Sequence, residues 1–437
     1  MSFLNKTINK FAIKYAHSKM QKALTNNLNI DITNQNIAKI PNPNKSYMLY
    51  THIPFCHIFC PYCSFHKFQY NKESCKNYFK NLREELKQTK EAGYDFNSLY
   101  VGGGTTLIDE DELIKTLELA KKLFSIQDIS CETDPNHIQP ENLAKFRGLI
   151  DRISVGVQSF DDEILKKVAR FEKFGSQKDL INKLEKAINI LPVLSLDLIF
   201  NFPFQTKDNL LTDIKIAKDL NPQQITLYPL MKSNLTKDAI AKSLGISNID
   251  NEYEFYKIIR EEFKDYNSNN AWAFSKEKSN LADEYVGSNS DYVGVGSGAF
   301  SFLDGRLLIN AFNLDDYEEK IKSNKSPVIA TCDFKDSEKI KYIFLTKLFD
   351  GEINIKDFNL QNKVDLKKTM FLELNLLRLA NAIYEENGFI RPTEFGRYIC
   401  VVLMKDFYTG MDKVRAIFKN DAKIKSRKKL YVMSEEI

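Results

Sequence analysis

The sequence lacks several features that would place it in common classes of protein. No stretch approaches the ~18 consecutive apolar residues of a membrane-spanning helix, and the N-terminus has neither the apolar segment nor the cleavage site of a secretory signal. There is no excess of one charge, because 62 basic and 58 acidic residues leave a formal charge of only +4. That balance argues against a nucleic-acid partner and against stable membrane association. We therefore expect a cytoplasmic protein.

Cysteine is scarce, and the seven cysteines are an odd number, so a disulfide framework is not expected. Three of them, Cys56, Cys60 and Cys63, have the spacing C-x3-C-x2-C. A four-iron cluster normally takes four cysteine ligands. Three thiolates would leave one iron open to bind and activate another molecule, so this pattern indicates a reaction centre.

Zinc is the alternative metal for these thiolates. A structural zinc ion needs a fourth ligand, which His52, His57 or His66 would supply. Such sites usually pair two Cys-x2-Cys hairpins, and this sequence has no second pair. The remaining cysteines are isolated and are expected to be small core or surface residues: Cys75, Cys131, Cys332 and Cys400.

Strand and helix patterns alternate between residues 47 and 231, which predicts an α/β fold with a parallel sheet. Right-handed crossovers would close or nearly close the sheet into a (β/α)6 partial TIM-type barrel. Ligands of such sheets bind beyond the C-terminal ends of the strands, and the three cysteines follow the first strand. The predicted strands are Tyr47–Ile53, Ser98–Val101, Ile129–Glu132, Arg152–Gln158, Leu194–Phe202 and Gln224–Leu230.

Other strands also end in residues that suit ligand binding. Gly102-Gly103-Gly104-Thr105 follows a strand and would let a ligand approach the backbone, with exposed amides for an anionic group. Glu132 suits a pair of sugar hydroxyls, and Gln158 and Asp197 have comparable positions. Arg170 would clamp a carboxylate. Each residue also has a simpler interpretation. The glycines would form a common tight turn, Glu132, Gln158 and Asp197 would be turn or cap residues, and Arg170 would be a solvated arginine at a helix end.

Several motifs in combination resemble those of one known family. The motifs are Tyr50-Thr-His-Ile-Pro-Phe-Cys56, Cys60-Pro-Tyr-Cys63-Ser-Phe65, Gly102-Gly-Gly-Thr105, Glu132-Thr-Asp-Pro135, Arg152-Ile-Ser-Val-Gly-Val-Gln158-Ser-Phe160, Asp197-Leu-Ile-Phe-Asn-Phe-Pro203 and Gly294-Val-Gly-Ser-Gly298. Their order resembles the radical S-adenosylmethionine (SAM) superfamily. More closely, it resembles the branch of oxygen-independent coproporphyrinogen III oxidases, related heme chaperones and anaerobic heme-degrading methyltransferases.

The resemblance implies a cofactor set and a role for each motif. Cys56, Cys60 and Cys63 would hold a [4Fe-4S] cluster, whose open iron would chelate the amino and carboxylate groups of SAM. An external electron donor such as flavodoxin or ferredoxin would reduce the cluster, and cleavage of SAM would give a 5′-deoxyadenosyl radical that abstracts hydrogen from the substrate. The implied SAM contacts are Gly103, Gly104 and Thr105 at the methionyl end, Glu132 and Gln158 at the ribose, and Arg170, Asp197, Tyr50 and the backbone near Tyr62.

The substrate is expected to be a tetrapyrrole, or heme as a cargo. The leading hypothesis is oxidative decarboxylation of the propionates of coproporphyrinogen III. Oxidases of this type carry an additional cysteine where this chain has Phe65. The first alternative is a chaperone that binds and delivers heme, although every histidine lies at or before His137 and heme usually needs an axial ligand. The second alternative is a heme-degrading radical SAM methyltransferase.

The predicted domain organisation has three parts. Residues 1–46 form an N-terminal extension with a short amphipathic helix and a Pro/Asn-rich linker. Residues 47–312 form the radical SAM core barrel. Residues 313–437 form a small, mostly helical C-terminal domain whose basic tail is frayed.

Overall fold

The computed structural model of the chain describes residues 3–33, 35–43, 45–247, 249–278, 281, 283, 291–419 and 429–431. The strands are β1 (Asn29–Ile32), β2 (Met48–Ile53), β3 (Phe55–Cys56), β4 (Phe68–Gln69), β5 (Ser98–Gly103), β6 (Asp128–Thr133), β7 (Arg152–Gln158), β8 (Val193–Phe200), β9 (Gln224–Pro229), β10 (Asn267–Ser268), β11 (Ala273–Ser275), β12 (Tyr292–Val295), β13 (Phe300–Leu303), β14 (Arg306–Asn310), β15 (Val328–Asp333), β16 (Ile353–Asn354), β17 (Ile383–Glu386), β18 (Phe389–Pro392) and β19 (Lys429–Tyr431).

The helices of the described residues alternate with the strands and then dominate the C-terminal third. They are α1 (Phe3–Asn27), α2 (Lys72–Glu91), α3 (Glu110–Leu123), α4 (Pro140–Ala144), α5 (Asp162–Lys167), α6 (Phe171–Phe174), α7 (Gln177–Ala187), α8 (Lys207–Asp219), α9 (Lys237–Leu244), α10 (Glu252–Glu262), α11 (Leu314–Lys322), α12 (Asp336–Asp350), α13 (Ile355–Asn362), α14 (Leu366–Thr369), α15 (Phe371–Leu379) and α16 (Glu394–Lys419), with a 3-10 turn at Thr106–Ile108.

Six parallel strands form the centre of the fold and confirm the predicted (β/α)6 unit. Their order in the sheet is β9-β8-β7-β6-β5-β2, and every neighbouring pair is parallel. Helices connect the successive strands, as right-handed crossovers require. The strands are rich in apolar residues because both faces are covered, and all six residues of β2 are buried. The strand order runs from β10 to β19 without closing on itself, so the barrel is partial.

The sheet continues well beyond the six strands. Strand β12 pairs in parallel with β2, and β13, β14 and β15 follow as antiparallel neighbours. Strand β1 pairs with β15, so part of the N-terminal extension belongs to the same sheet. Strand β15 also lies past residue 312. The domain division at residues 46 and 312 therefore does not coincide with the edges of the sheet, and it stays a prediction.

The C-terminal region is mostly helical, as predicted, with a small sheet of β16, β18 and β17. Helix α16 packs along α1, where a Cβ added to Gly410 would lie 2.5 Å from Leu24 Cδ1. The short N-terminal helix that the pattern predicts is in fact 25 residues long, because its second half also has an apolar face that α16 covers. Most of the tail that was predicted to be frayed (420–428 and 432–437) lies outside the described residues, and the described part, β19, pairs with β1.

No helix in the described ranges combines the length and the apolar character that crossing a membrane requires.

Candidate functional site

The three clustered cysteines lie in a loop (residues 54–70, the cysteine loop) that directly follows β2 at its C-terminal end. The backbone N–H of Tyr70 donates to the carbonyl of Cys56 (3.0 Å), and that of Cys63 donates to the carbonyl of Cys60 (3.2 Å). These three thiols are half-buried and free, whereas the thiols of the other four cysteines are buried. The clustered thiols are therefore the ones that a metal centre can reach, and the four isolated cysteines are core residues.

The surroundings of the thiols fit a cluster. Arg170 Nη1 lies 3.6 Å from Cys60 Sγ and Thr105 Oγ1 lies 3.9 Å from Cys56 Sγ. A cation beside a sulfur favours the thiolate, which is the form that binds iron, and hydrogen bonds to the sulfurs are usual around iron–sulfur centres. In the described residues no three Cys, His, Asp or Glu side chains converge on a single metal ion. A four-iron cluster does not need such convergence, because each thiolate binds a different iron.

Of the histidines that the zinc alternative requires, His52 is fully engaged elsewhere. Both ring nitrogens of His52 have partners, since Nδ1 lies 2.8 Å from the Tyr50 hydroxyl and Nε2 lies 3.0 Å from the carbonyl oxygen of His66. Burial lowers the pKa of His52 to about 4, so its ring is neutral. His66 Nε2 lies 3.3 Å from the Ser297 hydroxyl, and the His57 ring packs edge-on against Tyr70. These contacts disfavour His52 as the fourth ligand of a zinc ion, whereas His66 Nδ1 has no partner among the described residues.

The glycines after β5 allow the backbone to approach the cysteine loop closely. A Cβ on Gly104 would lie 2.5 Å from the carbonyl oxygen of Phe55 and 3.0 Å from Cys56 Sγ. Gly103 has φ +121°, and a Cβ there would lie 2.7 Å from the His52 ring. Any larger residue would displace the loop, so the glycines are required for packing at these positions.

The backbone amides of this turn are already used within the protein. Gly103 N donates to Glu132 Oε2 (3.1 Å), Gly104 N to the carbonyl of Ile53 (2.8 Å) and Thr105 N to the carbonyl of Phe55 (2.8 Å). The expectation that these amides are exposed is therefore wrong, whereas the binding of an anionic group at this turn stays a prediction. The amides are not exposed because β2 and its loop run beside β5 and accept the amide hydrogens.

Two half-buried carboxyl groups, Glu132 on β6 and Asp197 on β8, lie in the interior of the partial barrel. Glu132 accepts from the Tyr100 hydroxyl (2.9 Å), and burial raises its pKa to about 7. Asp197 accepts from the hydroxyls of Ser154 (2.5 Å) and Ser195 (3.3 Å), and burial raises its pKa to about 6. The negative charge of Asp197 contributes to the raised pKa of Glu132. Both groups can thus exchange a proton near neutral pH and can accept hydrogen bonds from hydroxyl groups when ionised.

Arg152 at the start of β7 balances these acids, and the sequence analysis assigned it no role. The side chain is buried, and its charge lowers the pKa of both Glu132 and Asp197. Its Nε donates to Gln224 Oε1 (2.8 Å), while Nη1 and Nη2 are buried without a partner among the described residues. A charged residue inside an apolar strand is the signal that could have identified it.

Arg170 connects the end of β7 to the cysteine loop. Its Nη1 donates to the Tyr62 hydroxyl (3.1 Å) and its Nη2 donates to the carbonyl of Gly156. The guanidinium also stacks 4.3 Å from the centroid of the Phe174 ring. Arg170 is buried at the start of α6, so the solvated arginine of the simpler interpretation does not apply. In the described residues Nε is buried and has no partner.

Gln158 ends β7 in an unusual conformation. Its φ is +77°, and the register with β8 shifts between Gly156 and Gln158. Non-glycine residues at positive φ and bulges at strand ends frequently occur beside functional sites. The bulge ends the pairing where β7 reaches the cysteine-loop end of the sheet.

Asp134 is a further residue of the site that the sequence analysis did not assign. It accepts from Thr105 Oγ1 (3.0 Å) and lies 3.3 Å from Lys173 Nζ. Burial alone would raise its pKa, but the charges of His137 and Lys173 lower it, so the group is ionised. Asp134 lies inside the Glu132–Pro135 motif, and that motif was the available signal. Through Thr105 it connects β6 to the first cysteine.

The predicted residues fall into contact groups at the same end of the sheet. Cys56 meets Thr105, Cys60 meets Tyr62 and Arg170, and Gly103 meets Glu132. Tyr50 contacts the site through His52, and Asp197 interacts with Glu132 electrostatically.

Comparison with known proteins agrees with this arrangement. Residues 50–217 match the profile of the Radical SAM superfamily. The heme chaperone HemW of Bacillus subtilis is 28% identical over 310 residues, which cover 67% of this chain and 80% of that protein. The anaerobilin synthase of Escherichia coli O157:H7 is 26% identical over 309 residues, covering 67% and 69%. An oxygen-independent coproporphyrinogen III oxidase of Helicobacter pylori (strain 26695) is 30% identical over 205 residues, covering 43% and 44%.

The fold has a counterpart among solved structures. Coproporphyrinogen III oxidase (HemN) from Escherichia coli superposes with a TM-score of 0.70 at 21% identity, over 84% of this chain and 91% of that one. The two proteins share the fold.

Proposed function

Because this chain belongs to the radical SAM superfamily, in the group of coproporphyrinogen III oxidase-like and heme chaperone-like proteins, we propose that it is an enzyme that acts on a tetrapyrrole. Its cofactors are the [4Fe-4S] cluster and SAM of that superfamily. When bound, they supply a 5′-deoxyadenosyl radical that abstracts a hydrogen atom from the substrate. Cys56, Cys60 and Cys63 hold the cluster in this proposal, and the observation that carries it is the accessible trio of thiols with Arg170 beside Cys60.

The residues around the loop would bind and orient SAM. Glu132 and Gln158 accept from the ribose hydroxyls, and the raised pKa of Glu132 fits a carboxylate whose ionised form becomes more favourable when a hydroxyl donor arrives. Asp197 accepts from the remaining polar groups of the nucleoside. Gly103, Gly104 and Thr105 provide close backbone approach at the methionyl end, while Tyr50, Tyr62 and Arg170 complete the contacts.

The named reaction is oxidative decarboxylation of the propionates of coproporphyrinogen III. Each of the two propionates that react would lose one hydrogen atom to the radical, one electron to an acceptor and carbon dioxide, which leaves a vinyl group, and the other two propionates are kept. The similarity to the Helicobacter oxidases supports this assignment. Phe65, at the position of the additional oxidase cysteine, does not support it, so a second function needs to be tested in parallel.

Heme binding and delivery is the second candidate function. The observation in its favour is that relatives named heme chaperones match 67% and 82% of this chain, against 43% for the oxidases of Helicobacter. A third reaction, radical methylation with opening of the heme ring, is supported by the match to the anaerobilin synthase.

One anaerobic experiment separates these functions. Reconstituted protein is incubated with dithionite and SAM, and either coproporphyrinogen III or heme is offered. Formation of 5′-deoxyadenosine and protoporphyrinogen supports the oxidase, and a methylated linear tetrapyrrole supports ring opening. A Soret shift at stoichiometric heme, without formation of any tetrapyrrole product, supports heme binding and delivery. Absence of both SAM cleavage and heme binding would refute the proposal as a whole.

A further inference from the structure

Two lysines meet the backbone of the cysteine loop beside the third cysteine. Lys67 Nζ donates to the carbonyl of Cys63 (2.8 Å), and Lys419 Nζ donates to the carbonyl of Ser64 (3.4 Å). Lys67 belongs to the loop itself, whereas Lys419 is the last residue of α16. Two ammonium groups from distant parts of the sequence are therefore held next to the predicted reaction centre.

Within the described residues, no carboxylate pairs directly with either of these two lysines. Backbone carbonyls are the partners of both Lys67 and Lys419. Arg415, one turn earlier on α16, has its guanidinium 5.4 Å from the Phe65 ring centroid, and its charge is balanced by Asp412 at 2.5 Å. Among the residues that the structure describes, the positive charges of Lys67 and Lys419 thus lack an ion-pair partner, and an anionic ligand would be attracted to them.

An apolar surface lies beside the two charges. Ile58 and Phe59, on the same loop, are each 43% exposed. Lys67 Nζ is 5.4 Å from the centroid of the Phe59 ring. An exposed aromatic ring next to cations complements a flat apolar molecule that carries carboxylates at its edge.

We propose that Lys67 and Lys419 bind carboxylates of the tetrapyrrole and that Phe59 packs against its macrocycle. The inference rests on the proposed function and adds the residues that recognise the substrate. It also assigns the end of the C-terminal helix a part in the site, since Lys419 reaches the loop from α16. An acidic electron-transfer protein is the other anionic partner that such a surface attracts, and the test below includes it.

Binding of a tetracarboxylate porphyrin and its ester measures this directly. Coproporphyrin III and its tetramethyl ester are titrated into reconstituted full-length protein, and porphyrin fluorescence is followed. We expect the ester to bind more weakly than the acid. Lys67→Gln and Lys419→Gln should each weaken binding of the acid by roughly three- to tenfold, and Lys67→Arg and Lys419→Arg should restore it. The matched control is Lys215→Gln, an exposed lysine on α8 that pairs with Asp219 (2.7 Å).

The outcomes distinguish this inference from the proposed function. Equal affinity of the wild-type protein for the acid and the ester, while it still cleaves SAM, would overturn the inference alone. A wild-type protein that does not cleave SAM would instead contradict the proposed enzyme. The double Gln variant is also compared with the wild type for reduction by flavodoxin and by dithionite. If it binds coproporphyrin III normally, and only its reduction by flavodoxin is slower than that of the wild type, the lysines serve the electron donor and the inference fails.

Discussion

Replacing Gly104 by alanine tests how tightly the end of β5 supports the cysteine loop. The added methyl group would lie 2.5 Å from the Phe55 carbonyl oxygen and 3.0 Å from Cys56 Sγ. Ordinary contacts are about 3.5–4 Å, so the loop must move by roughly 1 Å. Overpacking of this kind costs about 1–3 kcal/mol in the free energy of unfolding. Because a displacement of 1 Å at a reaction centre can reduce rates about 100-fold, we expect a comparable loss of SAM cleavage.

The assay separates damage to the site from general loss of stability. Iron and sulfide per chain, visible absorbance and SAM cleavage are measured after anaerobic reconstitution, beside thermal unfolding. Gly148→Ala is the matched control, because its Cβ would meet nothing within 4 Å although φ is +77°. That variant should lose about 1 kcal/mol through backbone strain and keep its iron. The reasoning would be refuted by a Gly104→Ala protein with the iron content and SAM cleavage of the wild type.

The remaining predictions concern the individual ligands and acids. Cys60→Ala should abolish the cluster absorbance and SAM cleavage, whereas the buried Cys75→Ala should keep both; equal iron in the two proteins would contradict the ligand assignment. Asp197→Asn should weaken SAM binding by about tenfold, by loss of one charged hydrogen bond, with unchanged iron, and lower iron would show a structural role. A ribose hydroxyl that donates to Glu132 favours the ionised carboxylate, so SAM affinity should rise with pH up to about 7 and then level off. Below that pH the affinity should fall about tenfold per unit, and Glu132→Gln should remove the dependence; equal slopes would exclude Glu132 from the nucleoside contact.

The central fold could be predicted because its signals are local. Buried parallel strands are short apolar runs that end at glycine or polar residues, as β5 and β8 show, and the helices between them have their own periodicity. Strands β1 and β19, at one end of the sheet, were not predicted. They have only four and three residues, and their partners lie hundreds of positions away in the sequence, so no local pattern indicates that they join the sheet.

The candidate site divides in the same way. The spacing of Cys56, Cys60 and Cys63 is a property of one short segment, and in the structure that segment follows the C-terminal end of β2. The exposure of the amides in the glycine turn was predicted incorrectly. The amide of Gly104 donates to the carbonyl of Ile53 on the neighbouring strand β2, and the pattern of the turn itself does not indicate that contact. Arg170 was expected to bind the carboxylate of a ligand. In the structure it contacts Tyr62 and Gly156, because the start of α6 lies against the cysteine loop, which is distant in the sequence.

The amino-acid sequence alone determined the alternation of strands and helices, the three thiols and the identity of the glycines and acids that follow the strands, since each depends on neighbours within a few residues. The tertiary structure decided which of these side chains meet: it brings the half-buried Glu132 and Asp197 together with the buried Arg152, and it carries Lys419 to the loop of Lys67. Burial and electrostatic interaction depend on distance in space, and residues as far apart in the sequence as Lys67 and Lys419 come close together only when the chain folds.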